Sequence, residues 1–364
     1  MKNLFLFLLL LLFSSAVPAQ EWDRSYPGYG GGVYTYRLIP MPDGGFLVSA
    51  TSNALIGSRV FTKLSANGDI EWTKDQKDVL GFRVWDMIPT KDGNLLFAGC
   101  DDALGLQLRE TTGDFETVWS TTFPPSLHCG LGLPVLKHAP DGYMLALIKA
   151  DLNFMRLDYS GKITSQFTFD LNLLGTDFER IEDISVDSFG QVYIGGVEDW
   201  PFPSVLAKLS PTGDLIFRKG YAGSDLAYGY SSLILNGNAD IIATNNINVI
   251  QFKTNGDILK TIPVRTNFIL QTSDGNYLGS HKSLNDGKYN LIKFDLNGTI
   301  LWQKKGSVVL PPSSEIASFW PLPGGEVVVM LRPTASNGYD FYIYFEAGVL
   351  SIPGNRHCRD MNCE

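Results

Sequence analysis

A Gly-centred turn followed by a short apolar segment recurs seven times along the 364-residue chain. The glycines of these turns are Gly44, Gly93, Gly142, Gly190, Gly237, Gly275 and Gly324. Successive members lie 49, 49, 48, 47, 38 and 49 residues apart. A regular period in this range, with short alternating or β-branched segments between turn residues, predicts the blades of a β-propeller.

A second repeated segment gives each unit its remaining strands. The stretch "KLSANGDIEW" at 63–72 returns as "KLSPTGDLIF" at 208–217, "QFKTNGDILK" at 251–260 and "KFDLNGTILW" at 293–302. Its Asn-Gly or Thr-Gly pair suits a tight hairpin, because Gly accepts a positive φ without steric cost. Each unit then contains four strands, which in the first unit are 33–41, 45–50, 59–65 and 70–74. We therefore predict an all-β, seven-bladed propeller of four-stranded antiparallel blades over residues 20–351.

A large aromatic residue follows the second turn in several units. Trp72, Trp119 and Trp302 occupy this position, and Phe217 takes the same role. Because a large ring buries much area and the position recurs with the repeat, we predict that these residues pack against the neighbouring blade rather than bind a ligand.

The last unit lacks a good fourth strand, and the N-terminal region supplies a candidate. Residues 21–32 read "EWDRSYPGYGGG", which resembles the outermost strands "EWTKDQ" at 71–76 and "LWQKKG" at 301–306. A strand borrowed from the other end of the chain would close the ring and leave no open seam. We therefore place residues 21–27 in blade seven.

The first 19 residues have the three regions of a secretory signal peptide. Lys2 supplies the positive charge, an apolar segment runs from Leu4 to Phe13, and small residues lead to Ala19. The apolar segment is about half as long as a membrane-spanning helix requires. We expect cleavage after Ala19, a secreted or periplasmic location, and no insertion into a membrane. Residues 352–364 form a Cys-containing tail.

The formal net charge of the chain is -9. Nucleic acids and anionic lipids require clustered Lys and Arg residues, and the sequence contains no such cluster. We expect neither as a partner.

The repeats of the form "DGGFLVSA" and "VFTKLSANGDIEW" resemble those of secreted bacterial β-propeller repeat proteins, which are grouped with quinoprotein-like and WD40-like propellers. The resemblance covers nearly all of the chain after the signal peptide. It implies the fold and leaves the activity open.

Four cysteines in an exported chain predict two disulfides. Cys100 ends the second strand of blade two, and Cys129 lies in the link to blade three, on the same face of the propeller. Cys358 and Cys363 lie together in the tail. We therefore expect the pairs Cys100–Cys129 and Cys358–Cys363; a zinc site would lack a second pair of ligands.

No pattern of residues predicts catalysis, a metal site or a cofactor. The four histidines are far apart in sequence and match no zinc or iron signature. The glycine cluster at 28–32 precedes a strand, so it does not form the phosphate site of a helix N-terminus.

Loops on one face of a propeller converge around its central channel, and loops on rigid scaffolds often carry function. The segment "VEDWPFPS" at 197–204 combines acids, prolines and aromatics, a mixture that suits a sugar ring or a peptide side chain. An aromatic plug over the edge of the blade is the alternative. The candidate ligand-binding residues on this face are Asp101, Asp102, Asp199, Trp200, Phe202, Tyr228, Tyr230 and His281.

Two functions stay open at this point. The absence of a catalytic constellation favours a non-catalytic binding or interaction propeller with a glycan or protein ligand. The alternative is a glycan-acting hydrolase or lyase, or a quinoprotein-like oxidoreductase, with acids from several blades at the channel mouth.

Overall fold

The computed structural model describes most of the chain. The described ranges are 22–26, 37–52, 58–101, 105–123, 133–148, 152–174, 178–198, 204–221, 232–236, 240–245, 247–272, 274–282, 288–309, 314–321, 327–333 and 341–346. The predicted signal peptide and the Cys-containing tail lie outside them. Within these ranges no helix is long and apolar enough to cross a membrane.

The described strands form seven four-stranded antiparallel sheets, and we name the six whose strands follow chain order blades 1 to 6. The strands of blades 1 to 3 follow the chain from the innermost to the outermost position. They are β2 Arg37–Pro40, β3 Phe46–Ser52, β4 Ser58–Leu64 and β5 Ile70–Asp75; β6 Arg83–Pro89, β7 Leu95–Asp101, β8 Gly105–Thr111 and β9 Thr117–Thr122; and β10 Leu133–Ala139, β11 Gly142–Ile148, β12 Leu152–Asp158 and β13 Ile163–Phe169.

Blades 4 to 6 repeat this order. They contain β14 Phe178–Val186, β15 Val192–Glu198, β16 Ser204–Leu209 and β17 Leu215–Tyr221; β18 Ser232–Leu235, β19 Ile241–Thr244, β20 Val249–Phe252 and β21 Ile258–Ile262; and β22 Phe268–Gln271, β23 Tyr277–Lys282, β24 Lys288–Phe294 and β25 Ile300–Val309. The predicted all-β propeller of four-stranded antiparallel blades is confirmed.

The remaining sheet joins the two ends of the described chain. It contains β26 Ser314–Pro321, β27 Val327–Pro333 and β28 Phe341–Glu346, with β1 Trp22–Tyr26 at its edge. Strand β1 pairs antiparallel with β28, with Trp22 opposite Phe345 and Tyr26 opposite Phe341. The first strands of neighbouring sheets contact each other along the chain from β2 to β22, and β26 contacts β2. The first strands are therefore the inner ones, which border the central channel.

Outer aromatic residues hold adjacent blades together. The ring of Trp119 in blade 2 lies directly against Gly161, in the last turn of blade 3, so a side chain at Gly161 would overlap it. Phe167 lies in the same way against Gly213, and Phe217 against Gly256. The predicted packing role is confirmed for Trp119 and Phe217, and Phe167, which was not predicted, has the same role.

Blade 2 uses a different residue at this contact. Its last turn places Phe115 at φ 65, where other blades have glycine. The Phe115 ring lies 5.7 Å from that of Trp72 in blade 1 and 6.2 Å from that of Phe97. A positive φ is unfavourable for a bulky residue. The aromatic contacts offset this cost.

Two short helical segments link blades, which the sequence analysis did not anticipate. Helix α1 spans Gln76–Leu80 between blades 1 and 2, and a 3-10 turn spans Leu171–Leu174 between blades 3 and 4. The Asp75 side chain accepts from Lys77 N at the start of α1, and Gly81 ends it at φ 79. Five residues are too few to give the periodic apolar pattern from which a helix is predicted.

Candidate functional site in the central channel

The inner strands of blades 2 and 4 each contain a β-bulge at the same place. The pairing shifts by one residue between Val84 and Asp86 in β6, and between Ile181 and Asp183 in β14. Trp85 and Glu182 are the extra residues. A bulge bends its strand and turns the next side chain in a new direction, and bulges are frequent near functional sites. Here the redirected side chains are the carboxylates of Asp86 and Asp183.

Asp86 connects three blades. One carboxylate oxygen, Oδ1, accepts from Arg37 Nε of blade 1 at 2.9 Å and from Met87 N at 2.9 Å. The other oxygen, Oδ2, accepts from Leu136 N of blade 3 at 2.9 Å. Asp86 is only 4% exposed. The carboxylate thus satisfies a backbone N–H on the open edge of the next inner strand.

Asp183 repeats this arrangement two blades further on. Its Oδ1 accepts from Lys137 Nζ of blade 3 at 2.8 Å and from Ile184 N at 2.8 Å. Its Oδ2 accepts from Leu233 N of blade 5 at 2.9 Å. Blades 1 to 5 are therefore joined by two equivalent carboxylate bridges.

The two ion pairs belong to one group of charges, which we name the channel cluster: Arg37, Asp86, Lys137 and Asp183. Asp86 raises the pKa of the Arg37 guanidinium, against the opposing effect of burial, and the charge of Asp183 raises it further. The positive charge of Arg37 therefore interacts electrostatically with both carboxylates. With two cations and two anions, the channel cluster is electrically balanced.

The side chains of both cations in the channel cluster are partly exposed to solvent. The Arg37 side chain is 36% exposed and that of Lys137 is 32% exposed. Arg37 uses Nε for Asp86, and its two terminal Nη groups make no hydrogen bond within the described part of the chain. Lys137 uses one of its three ammonium donors. The channel therefore contains unused donors, whereas the carboxylate oxygens are already engaged.

An arginine–tryptophan pair lies beside the channel cluster. Arg59 of blade 1 donates from Nη1 to Val84 O at 2.7 Å, and its guanidinium carbon lies 3.5 Å from the centroid of the Trp85 ring. Arg59 is buried, and Trp85 is partly exposed. A guanidinium stacked on an indole is a favourable cation–π contact. The pair supports the bulge that presents Asp86.

The structure describes only two of the sequence-predicted ligand residues. Asp101 is half-buried at the end of β7, opposite Gly105. His281 lies near the end of β23, with its Nε2 3.4 Å from Asn290 Nδ2. Burial lowers the pKa of His281, and the charge of Arg265 lowers it further. His281 is therefore neutral at neutral pH, and no described hydrogen bond joins it to the channel cluster.

The other predicted residues lie outside the described ranges and stay predictions. They are Asp102, Asp199, Trp200, Phe202, Tyr228 and Tyr230, together with Cys129, Cys358 and Cys363. Cys100 is described in β7, but its predicted partner is not, so this pairing also stays a prediction. Among the described residues, no group of three or more His, Cys, Asp or Glu side chains could hold a metal ion.

None of the four residues of the channel cluster is predicted from the sequence above, although one signal is present there. Arg37 and Asp86 are 49 residues apart, and Lys137 and Asp183 are 46 residues apart. Both separations match the repeat period. A cation in one inner strand and an acid one period later would have indicated a contact between adjacent blades.

Comparisons with known proteins show the fold and no more. No protein-family model matches the chain, and no curated protein matches it. A catalytically inactive form of virginiamycin B lyase from Staphylococcus aureus, solved with quinupristin, has a TM-score of 0.56 and 12% identity over 89% of this chain and 99% of its own. The extracellular domain of a one-component system from Bacteroides thetaiotaomicron has a TM-score of 0.50 and 12% identity over 90% of this chain and 40% of its own.

These two solved proteins carry out different tasks on similar scaffolds. At such low identity, the likeness gives a β-propeller fold and does not transfer a substrate or a reaction. The function of this chain must be inferred from its own channel.

Proposed function

We propose that this protein is an exported, non-catalytic binding propeller whose ligand, a glycan or a protein, reaches into the central channel and contacts the channel cluster. One observation carries the proposal. Each acid of the channel cluster already accepts three hydrogen bonds, while the cations of the cluster retain open donors.

The state of the two carboxylates argues against acid–base catalysis by these residues. A general acid must hold a proton that it can give to the substrate, and a general base must have a lone pair facing it. Both oxygens of Asp86 and of Asp183 accept from backbone N–H groups, and each carboxylate also accepts from a cation. They act as bridges between blades rather than as reactive groups.

Arg37 and Lys137 are held in fixed positions, which favours the binding of a ligand. Each is fixed by an ion pair to an adjacent blade, so little side-chain entropy is lost when a ligand forms a further hydrogen bond. The seven sheets and the pairing of β1 with β28 support a ring of seven blades closed by the N-terminal strand. Such a closed ring would keep the channel donors at constant separation.

Export is the second part of the proposal. It rests on the three regions of the leader and on the even number of cysteines. A similar propeller is an extracellular domain, which is compatible with this location. The eight ligand-binding residues predicted from sequence would then extend the contact surface from the channel to one face.

A screen with a turnover readout tests the proposal. The purified chain beginning at Gln20 is screened by thermal shift against neutral and acidic glycans and against exported proteins, and each ligand that binds is then incubated and analysed for cleavage products. We expect saturable binding with no product. Product formation that is abolished in Asp86→Asn or Asp183→Asn at unchanged melting temperature would contradict the proposal and favour the hydrolase or lyase alternative.

A further inference from the structure

The unused hydrogen-bonding capacity of the channel cluster consists mainly of donors. Arg37 has its two terminal Nη groups available, and Lys137 has two ammonium hydrogens beyond the bond to Asp183. The acceptors on Asp86 and Asp183 are engaged. The channel cluster therefore has more open donors than open acceptors, which favours a ligand that supplies acceptors over one that supplies donors, such as an amine.

Asp86 links the strand that contains Arg37 to the strand that contains Lys137. Asp86 accepts from Arg37 through Oδ1 and from the backbone of Leu136, the neighbour of Lys137, through Oδ2. The two cations thus approach the channel from blades 1 and 3, on either side of the acid that blade 2 contributes. The charge of Asp183, the partner of Lys137, raises the pKa of Arg37, so the two ion pairs lie within electrostatic range of each other.

We propose that the channel cluster is a site for a small carboxylate-bearing ligand, held by the terminal Nη groups of Arg37 and by the ammonium group of Lys137. The inference rests on the proposed binding function and adds the chemical class of the ligand. A planar guanidinium edge matches a carboxylate with two parallel hydrogen bonds. Hydrogen bonds between charged groups are roughly twice as strong as neutral ones, so a carboxylate is bound in preference to a hydroxyl of the same shape.

The balance of charge in the channel cluster limits the site to weak or moderate affinity for simple anions. Because Asp86 and Asp183 each receive two backbone N–H bonds, part of their charge is offset by the protein backbone. An incoming carboxylate then meets the outer donors of both cations, and its binding weakens with ionic strength.

Calorimetric titration of the chain beginning at Gln20 with three probes tests the proposal. The probes are glucuronate, glucose and glutarate at low ionic strength. We expect glucuronate to bind at least about tenfold more tightly than glucose, since the two differ in one carboxylate. Binding of glutarate as well would show that the carboxylate alone is recognised, and binding of glucuronate alone would identify an acidic sugar; both results support the site.

Variants locate the binding. Arg37→Gln and Lys137→Gln are each expected to weaken glucuronate binding about tenfold or more, with a smaller loss in Arg37→Lys, which keeps the charge and loses the planar edge. Lys219→Gln is the matched control, because Lys219 pairs with Asp257 at 2.5 Å and is 34% exposed, but lies on outer strand β17. If Arg37→Gln does not fold, Arg37→Lys and Lys137→Gln carry the test.

Three results would overturn the inference: equal affinity for glucose and glucuronate, affinity unchanged in Arg37→Lys and Lys137→Gln, or an equal loss in the Lys219→Gln control. A neutral ligand that binds the channel independently of Arg37 would contradict the proposed carboxylate site but would agree with the proposed binding function. Turnover of a ligand that depends on Asp86 would instead contradict the proposed non-catalytic function.

Discussion

Arg37 and Asp86 lie 49 residues apart and are joined by a 2.9 Å hydrogen bond from Nε to Oδ1 across the interface of two blades. The same relationship joins Lys137 to Asp183 in the next pair of blades. Residues one repeat period apart therefore occupy equivalent strands in adjacent blades. Opposite charges at such positions, on successive inner strands, form contacts around the channel.

The first prediction concerns the bridge at Asp86. Asp86→Ala leaves two backbone N–H groups and the Arg37 guanidinium without their acceptor in a buried position. We expect a loss of about 3 kcal/mol in the free energy of unfolding, because breaking a buried charged network leaves uncompensated groups. Urea denaturation followed by circular dichroism measures it. Asp257→Ala, which removes the exposed partner of Lys219, is the control and should cost far less; equal losses would show that Asp86 is not a bridge.

The second prediction concerns the contact of Trp119 with Gly161. Gly161→Ala introduces a methyl group against the indole and also strains a backbone at φ +80. We expect a loss of about 3 kcal/mol from strain and overpacking together. Gly44→Ala is the matched control, since its φ is +83 and no atom lies within 4 Å of the added carbon. Only the backbone cost of about 1 kcal/mol should appear there. Similar losses in both variants would argue against tight packing at this blade interface.

The third prediction concerns acid stability. Burial favours a higher pKa for Asp274, but hydrogen bonds from Lys293, Thr272 and Asn276 outweigh it and lower the pKa to about 2. A carboxyl group with a lowered pKa in the folded state stabilises the protein above its unfolded pKa of 3.8, and this contribution disappears as the pH falls toward 2. We expect Asp274→Asn to cost about 1 to 2 kcal/mol at pH 7, after allowance for solvent screening.

The difference between wild type and Asp274→Asn should therefore shrink between pH 5 and about 2. Denaturation curves at several pH values measure it. A difference that stays constant over this range would show that the Lys293–Asp274 pair, 2.6 Å in length, does not control the ionisation of Asp274.

The fourth prediction concerns strand β1, which we propose closes the ring. Deletion of residues 20–28 removes β1 and exposes the edge of β28. We expect a lower and broader melting transition and a tendency to aggregate, because an unpaired edge accepts strands from other molecules. Addition of a synthetic peptide covering residues 20–28 should restore part of the melting temperature by strand addition. An unchanged melting curve in the truncated protein would mean that β1 contributes nothing to closure.

The fifth prediction concerns the cysteines. Peptide mapping under non-reducing conditions should find Cys100 joined to Cys129, and Cys358 joined to Cys363. Recovery of either tail cysteine in a peptide linked to Cys100 would contradict the placement of residue 129 on the same face as the end of β7.

The turns were predictable because their causes are local. Gly44, Gly93 and Gly275 all have φ near +80, and a Gly beside Asp or Asn reports that conformation in the sequence itself. The packing role of Trp119 was also predictable from its place in the repeat. The turn at Phe115 was not predictable from local sequence. Only the contacts of Phe115 with Phe61, Phe97 and Trp72 explain why an aromatic residue replaces glycine there.

The period, the four-stranded unit and the positions of the tight turns follow from the sequence, because they depend on residues close together in the chain. Which side chains meet in the channel depends on the tertiary structure. Asp86 and Asp183 reach their partners through bulges at Trp85 and Glu182, and no residue type in these strands requires a bulge. The resulting contacts join strands about one repeat apart, and their energy is gained only when the blades lie side by side.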